Sequence, residues 1–250
     1  MTELFDVTGK VACVTGASSG LGRSAATFLA SKGARVVGIA RRAELLEAWR
    51  SETTGDTASL VADLSDRSAI GSIATEAAKP FGAPDILINA AGLNTREPAD
   101  SVTAEGWDRT LTLNLSVPFF LAQALVGAMK EKGWGRIINF ASLQSRRAFP
   151  NGISYGASKG GVEQMTRAMA EAWSSHGITS NALAPGFFKT ELTGPVFDNP
   201  ALSRQIAKQT CIGRNGEADD LNGPLLFLCS PASDYVTGQI LFVDGGYTAK

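Results

Sequence analysis

Tyr155 and Lys159 lie at i and i+4 in Ser154-Tyr155-Gly156-Ala157-Ser158-Lys159. On a helix that spacing puts both side chains on one face. A free tyrosine has a pKa near ~10, too high for efficient proton exchange at neutral pH. A nearby ammonium stabilises the phenolate and lowers that value. Tyr155 can then give a proton to a carbonyl oxygen as hydride reaches the carbon, or remove one in the reverse direction. Ser142 can hydrogen-bond the same oxygen. Without a ligand, such a pair is simply a surface Tyr–Lys contact. Asn114 is a polar residue inside Leu111-Thr112-Leu113-Asn114-Leu115. A buried amide needs a partner, and Lys159, directly or through water, is the expected one.

A second group of residues suits a dinucleotide. Thr15-Gly16-Ala17-Ser18-Ser19-Gly20-Leu21-Gly22 follows an apolar run and opens a helix-like stretch. Glycines at such a turn let the backbone approach a pyrophosphate, and the helix N-terminus adds free N–H groups and a positive dipole end. The spacing is Gly-x-x-x-Gly-x-Gly rather than Gly-x-Gly-x-x-Gly, so the shared feature is the mechanism. Asp85-Ile86-Leu87-Ile88-Asn89-Ala90-Ala91-Gly92 is a strand leading to small residues that admit a flat ligand near the backbone. Asp63, with Leu64 after it, ends another apolar run. Its carboxylate either accepts an adenine amine or caps the following helix.

The elements needed to hold these residues are a repeated pattern of short apolar run and helix. Strands are expected at Lys10–Thr15, Arg35–Ala40, Ala58–Ala62, Asp85–Asn89, Arg136–Ala141, Ile178–Ala184 and Gln239–Val243. Helices are expected at Gly20–Ser31, Ala43–Glu52, Arg67–Lys79, Ala104–Glu131, Ser154–Ser175 and Ala218–Cys229. Near-continuous apolar strands alternating with helices predict a doubly wound parallel α/β sheet, Rossmann-like, covered on both faces, in one domain spanning residues 1–250. Pro185–Gly213 is read as a substrate loop or lid with short helices. His176 followed by Gly177 reads as a helix end.

Composition narrows the function. The 250 residues carry 23 Lys and Arg against 24 Asp and Glu, a formal charge of −1. No basic excess draws the chain to nucleic acid or an anionic membrane. Three scattered cysteines make neither a disulfide framework nor a zinc spacing, so no metal is expected. Met1–Gly9 lacks the apolar core of a signal peptide. No apolar run is expected to span a membrane, and the protein is read as soluble and cytoplasmic.

Across essentially its whole length the chain resembles the short-chain dehydrogenase/reductase family. The Thr15–Gly22 turn, Asn114, Ser142, Tyr155 and Lys159 match that family's motifs, as do Pro185-Gly186 and Thr190, which in the family hold the nicotinamide end. Asn89-Ala90-Ala91-Gly92 departs from the usual Asn-Asn-Ala-Gly. The resemblance implies that Gly16, Ser18, Ser19, Gly20, Leu21, Gly22, Asp63, Leu64, Asn89, Ala90, Gly92, Tyr155, Lys159, Pro185, Gly186 and Thr190 line the cofactor site. It gives Lys159 a second role on the nicotinamide ribose, and it implies a homotetramer. Ala141–Ser145, Ala184–Glu191 and Leu241–Gly246 are similar to the gluconate 5-dehydrogenase group. A sugar acid, polyol or related small hydroxy compound is then the expected substrate. 3-Oxoacyl-carrier-protein reductases are the alternative, and the complete catalytic set argues against a binding protein without turnover.

Two arginines bear on specificity. Arg96 leaves the carboxyl end of the fourth strand, where ligands bind in open α/β sheets, and can grip a substrate carboxylate beside Ser142, Gln144 and Tyr155. Arg146 and Arg147 are weaker candidates. NAD-specific sites place an acid about 20 residues past the glycine turn. Here Ala40 holds that place and Arg41-Arg42 follow, with no acid between Gly22 and Glu44. Arg41 is therefore expected to hold a 2′-phosphate, with Arg42 facing solvent or adenine. NADP is predicted over NAD.

Overall fold

A computed structural model describes residues 3–250. Seven parallel strands form one sheet in the order β3-β2-β1-β4-β5-β6-β7. They are β1 Val11–Thr15, β2 Arg35–Ala40, β3 Thr57–Val61, β4 Ile86–Asn89, β5 Gly135–Phe140, β6 Ile178–Pro185 and β7 Ile240–Val243. Each lies within one residue of its expected bounds. The order reverses between β1 and β4, which opens a crevice at their carboxyl ends. Alternating side chains feed two cores. Ala12, Val14, Val36, Ile86 and Ile88 point to one face, against α1 (Gly20–Ser31), α2 (Ala43–Glu52) and α9 (Asn222–Cys229). Cys13, Val37, Leu87 and Ile137 point to the other, against α3 (Ile70–Ala77), α5 (Val117–Lys132) and α6 (Ile153–Trp173).

Several expected helices are composite. Arg67–Lys79 divides into a 3₁₀ turn, Arg67–Ala69, and α3. Asp66, not Asp63, caps it by accepting from Ser68 N–H. Ala104–Glu131 divides into α4 (Ala104–Leu111), a π-helical turn at Thr112–Ser116, and α5. Such turns insert one residue into a helix and cluster at functional sites. Ser154–Ser175 begins one residue earlier and ends in the 3₁₀ turn Ser174–His176, where Gly177 takes φ 76° as the expected C-cap. Ala218–Cys229 starts as 3₁₀ before α9. Pro185–Gly213 holds the 3₁₀ turn Glu191–Thr193, α7 (Gly194–Phe197) and α8 (Pro200–Gln209), joined to the body by a Phe188–Gly216 bridge.

One expectation is corrected. Ala104–Lys132, 29 residues, is long and apolar enough by length and composition to cross a membrane. Here Leu121, Leu125 and Met129 of this span are buried against the sheet.

Candidate active site

The glycine turn is built to be narrow. Gly16 has φ 73°, and a Cβ there would sit 3.0 Å from the Ala91 backbone. A Cβ on Gly22 would lie 2.5 Å from the Gly16 carbonyl oxygen, so α1 packs directly on the turn. Thr15, missed as a site residue though it heads the motif, fastens this turn to the one after β4. Its Oγ1 donates to the Ile88 carbonyl (3.3 Å) and accepts from Ala90 N–H (3.0 Å) and Ala91 N–H (3.1 Å). Ser19 is the N-cap of α1 yet makes no side-chain cap bond, which leaves the first-turn amides of Gly20, Leu21 and Gly22 without a side-chain acceptor. Uncapped amides, a positive dipole end and a turn stripped of side chains fit a pyrophosphate.

Asp63, at the end of β3, takes Ser65 N–H (2.9 Å) and Ser65 O–H (2.7 Å). Burial acts to raise its pKa, but the Ser65 hydrogen bonds and the Arg41 charge outweigh it and leave the carboxyl below its ordinary range. Arg41 reaches Asp63 at 3.7 Å, and Leu64 beside them is buried. Arg42 does not face solvent or adenine alone. It is an extended residue at the start of α2, and its guanidinium folds back over the glycine turn. It donates to Ser19 Oγ (2.5 Å), Ser18 Oγ (3.2 Å) and both Glu191 carboxylate oxygens (3.0 Å each). Arg42 and Glu191 are 149 positions apart, and no local signal in the sequence joins them.

Tyr155 and Lys159 rise from α6, both buried. Lys159 Nζ lies 5.6 Å from the Tyr155 ring centroid and donates to the Phe140 carbonyl at 2.6 Å. Burial lowers Lys159 from 10.5 to about 8. The expectation that an ammonium depresses Tyr155 is not met in this arrangement. Burial dominates and holds the phenol above its ordinary range, while the Ser142 hydrogen bond and the Arg96 charge act the other way. Ser142, just past β5, also accepts from Gln144 N–H at 3.1 Å, which fixes the turn below Tyr155.

Asn114 sits in the π turn, 1% exposed. Its expected direct partner, Lys159, is not the one it takes. Oδ1 accepts from Leu93 N–H (2.9 Å), and Nδ2 donates to the Leu93 carbonyl (2.8 Å) and to Ser158 Oγ (3.1 Å). Ser158 in turn donates to the Tyr155 carbonyl at 2.7 Å. The helix one turn above Tyr155 is thus tied to the loop after β4. Ser158 was legible only as a small polar residue beside Lys159. Gly92 lies under both groups: a Cβ there would be 3.2 Å from Asn114 Oδ1 and 3.9 Å from Lys159 Nζ.

Other expected site residues divide. Asn89 turns its side chain into the sheet, where Nδ2 donates to Asn139 Oδ1 at 2.9 Å, so its contribution to the crevice is backbone. Ala90 and Gly92 continue that backbone. Gly186 N–H is held by the Val243 carbonyl (2.9 Å), and Thr190 lies over the glycine turn, 3.5 Å from where a Gly20 Cβ would be. Gln144 extends over Gly152, leaving no room for a Cβ there. Arg96, in the left-handed region at φ 57°, sends its charge toward Tyr155 and donates to the Leu192 carbonyl at 2.6 Å. Arg146 and Arg147, the weaker candidates, make contacts of their own. Arg146 pairs with Glu163 at 2.7 Å, and Arg147 lies over the Tyr247 ring, 5.4 Å from its centroid.

Comparison with known proteins agrees with this geometry. The family model described as enoyl-(acyl carrier protein) reductase matches residues 16–248. The gluconate 5-dehydrogenase of Gluconobacter oxydans (strain 621H) is 40% identical over 251 residues, 99% of this chain and 98% of the relative. The 2-dehydro-3-deoxy-D-gluconate 5-dehydrogenase of Bacillus subtilis (strain 168) is 39% identical over 253 residues, 99% of this chain and 98% of that one. The crystal structure of a gluconate 5-dehydrogenase from Burkholderia cenocepacia J2315, in complex with NADP and tartrate, matches with a TM-score of 0.92 at 38% identity, covering 100% of this chain and 99% of that one. A match that runs from residue 16 in the glycine turn to residue 248, with relatives about 40% identical over nearly the whole length, places the chain in the short-chain dehydrogenase/reductase family.

Proposed function

We propose that the protein is an NADP(H)-dependent oxidoreductase that interconverts a ketone and a secondary alcohol on a sugar acid, polyol or related small hydroxy compound. The observation that carries this reading is the buried Tyr155 on α6, with Lys159 Nζ 5.6 Å from its ring centroid and the Arg96 charge acting on its hydroxyl. The bound nicotinamide supplies or accepts the hydride at the reacting carbon. Tyr155 gives its proton to the carbonyl oxygen as negative charge builds there, and Ser142 hydrogen-bonds that oxygen. Arg96 meets the substrate's acidic end, which favours a small carboxylate over an acyl thioester. The relatives' names support the same choice. Because burial keeps Tyr155 protonated, carbonyl reduction has its proton donor ready at neutral pH. Alcohol oxidation needs the phenolate and quickens as pH rises.

Arg41 and Arg42 beside the adenosine end, with no acid after β2, suit a 2′-phosphate. The test measures kcat/KM for NADPH and NADH with a panel of keto sugar acids and acetoacetyl thioesters. NADPH with a keto sugar acid is expected to win, and a tenfold preference for NADH or activity confined to thioesters sinks the reading. Arg96→Ala is expected to raise the KM of an acidic substrate by roughly tenfold or more, the scale of a lost charge-assisted hydrogen bond. An uncharged polyol should be unaffected. An unchanged KM for the acid removes Arg96 as the anchor.

We further propose that the enzyme is a cytoplasmic homotetramer. Three unpaired thiols suit a reducing compartment. Exposed Phe120 on α5 and Leu241 on the edge strand β7 offer apolar surface for subunit contact.

A further inference from the structure

The Arg42–Glu191 pair joins two parts of the molecule that a dinucleotide must also touch. Arg42 lies at the start of α2, where the adenosine ribose is expected. Glu191 belongs to the lid. Two donors make three contacts with its carboxylate: Arg42 Nη1 meets both oxygens at 3.0 Å, and Ser19 Oγ donates to Oε2 at 3.2 Å. Arg42 Nη2 is meanwhile held by Ser19 Oγ and Ser18 Oγ, at 2.5 and 3.2 Å. A guanidinium fork with hydroxyls beside it is the donor set that also suits a phosphate. A carboxylate and a phosphate dianion repel, and they cannot share one face of one guanidinium.

Building on the NADP(H) reading, we infer that Glu191 is a positioning residue for cofactor specificity: an internal carboxylate that occupies Arg42 until a 2′-phosphate displaces it. A dinucleotide with a free 2′-hydroxyl leaves the Arg42–Glu191 pair in place. Glu191 therefore narrows the preference for the phosphorylated cofactor, because every 2′-phosphate must first exchange with it. The exchange also unties the lid from the glycine turn, one residue away from the Leu192 carbonyl that Arg96 holds. Both partners are about half exposed, with side-chain exposures of 46% and 63%, so the exchange is a modest one. Arg42 is the main cause of the lowered Glu191 pKa, so the carboxylate is charged throughout the neutral range. The segment keeps its shape without the pair. Thr190 N–H donates to Thr193 Oγ1 at 2.9 Å, and Thr193 N–H donates to Thr190 Oγ1 at 3.3 Å.

The test uses adenosine 2′,5′-bisphosphate and adenosine 5′-monophosphate, which carry no nicotinamide and undergo no turnover. Their Kd values are measured by calorimetry on the unaltered protein, Glu191→Gln, Arg42→Ala and the double variant. Glu191→Gln is expected to tighten the 2′,5′-bisphosphate about two- to fivefold, the scale of a half-exposed ion pair, and to leave the monophosphate unchanged. On the Arg42→Ala background the Glu191→Gln effect should vanish, since neighbours in one network are not additive. Weaker or unchanged bisphosphate binding in Glu191→Gln overturns the inference, as does an effect that persists without Arg42. If the unaltered protein binds both nucleotides alike and a preference emerges only in Glu191→Gln, the cofactor reading falls while the inference stands.

Discussion

Replacing Tyr155 by Phe is expected to lower turnover by ~10²–10⁴-fold in both directions, the usual contribution of a positioned proton donor. The change removes one oxygen from a buried ring and nothing else. Dinucleotide binding should survive, because the glycine turn, Arg41, Arg42 and Lys159 lie outside the deletion. Ser142 keeps its bond to Gln144 N–H. Steady-state rates and a binding titration with the reduced cofactor separate the two effects. Turnover close to that of the unaltered enzyme would take Tyr155 out of the proton path. A large loss of cofactor affinity with kcat preserved would make it a binding residue instead.

Lys159→Met should abolish most turnover, weaken the cofactor, and yet make the fold more stable at neutral pH. A buried ammonium is costly unless well paired, and Lys159 has one carbonyl, that of Phe140, as its hydrogen-bond partner. Burial has lowered its pKa from 10.5 to about 8. Between those values the folded protein holds fewer protons than the unfolded chain, so the stability due to this group rises with pH across the window. Below about 8 the penalty is present in full. A methionine of similar length removes it. Tm at pH 7 should then rise by a few degrees, at about 2–4 °C per kcal/mol for a chain of this size. The gain should shrink as pH approaches 10. A Tm that falls at pH 7 would show that the Phe140 bond outweighs the buried charge. Activity exchanged against stability in this way is common where a site holds a strained or desolvated group.

What the sequence could and could not reveal follows from the range of each interaction. The strands were legible because β1, β2 and β5 are covered on both faces and read as near-continuous apolar runs, broken in β5 only by Arg136 and Asn139. Tyr155 and Lys159 were legible because an i, i+4 spacing needs only a helix to become a shared face. The π turn at Thr112–Ser116 left no mark, since one extra residue in a helix hardly disturbs the apolar pattern around it. Asn114's partners, Leu93 and Ser158, lie 21 and 44 positions away, and a buried amide signals only that some partner exists. The direction of the Tyr155 shift was misjudged for a related reason. Burial, the larger influence, depends on how closely α6 packs over the crevice, while the charge of Lys159 is visible in the letters. Arg41 reads from the sequence as the phosphate ligand because it comes first after the strand, and only the lid carboxylate, 149 positions on, shows that Arg42 lies across the turn.

Thr15 has a thermodynamic meaning as well as a geometric one. Its hydroxyl ties the backbone after β1 to the backbone after β4, so the walls of the crevice are ordered when the chain folds rather than when a ligand arrives. Freezing one residue's backbone costs roughly 1–2 kcal/mol. Holding about three residues still in advance therefore separates a micromolar ligand from a millimolar one, roughly 4 kcal/mol. A single methyl-bearing hydroxyl moves that loss of entropy out of the binding step and into folding.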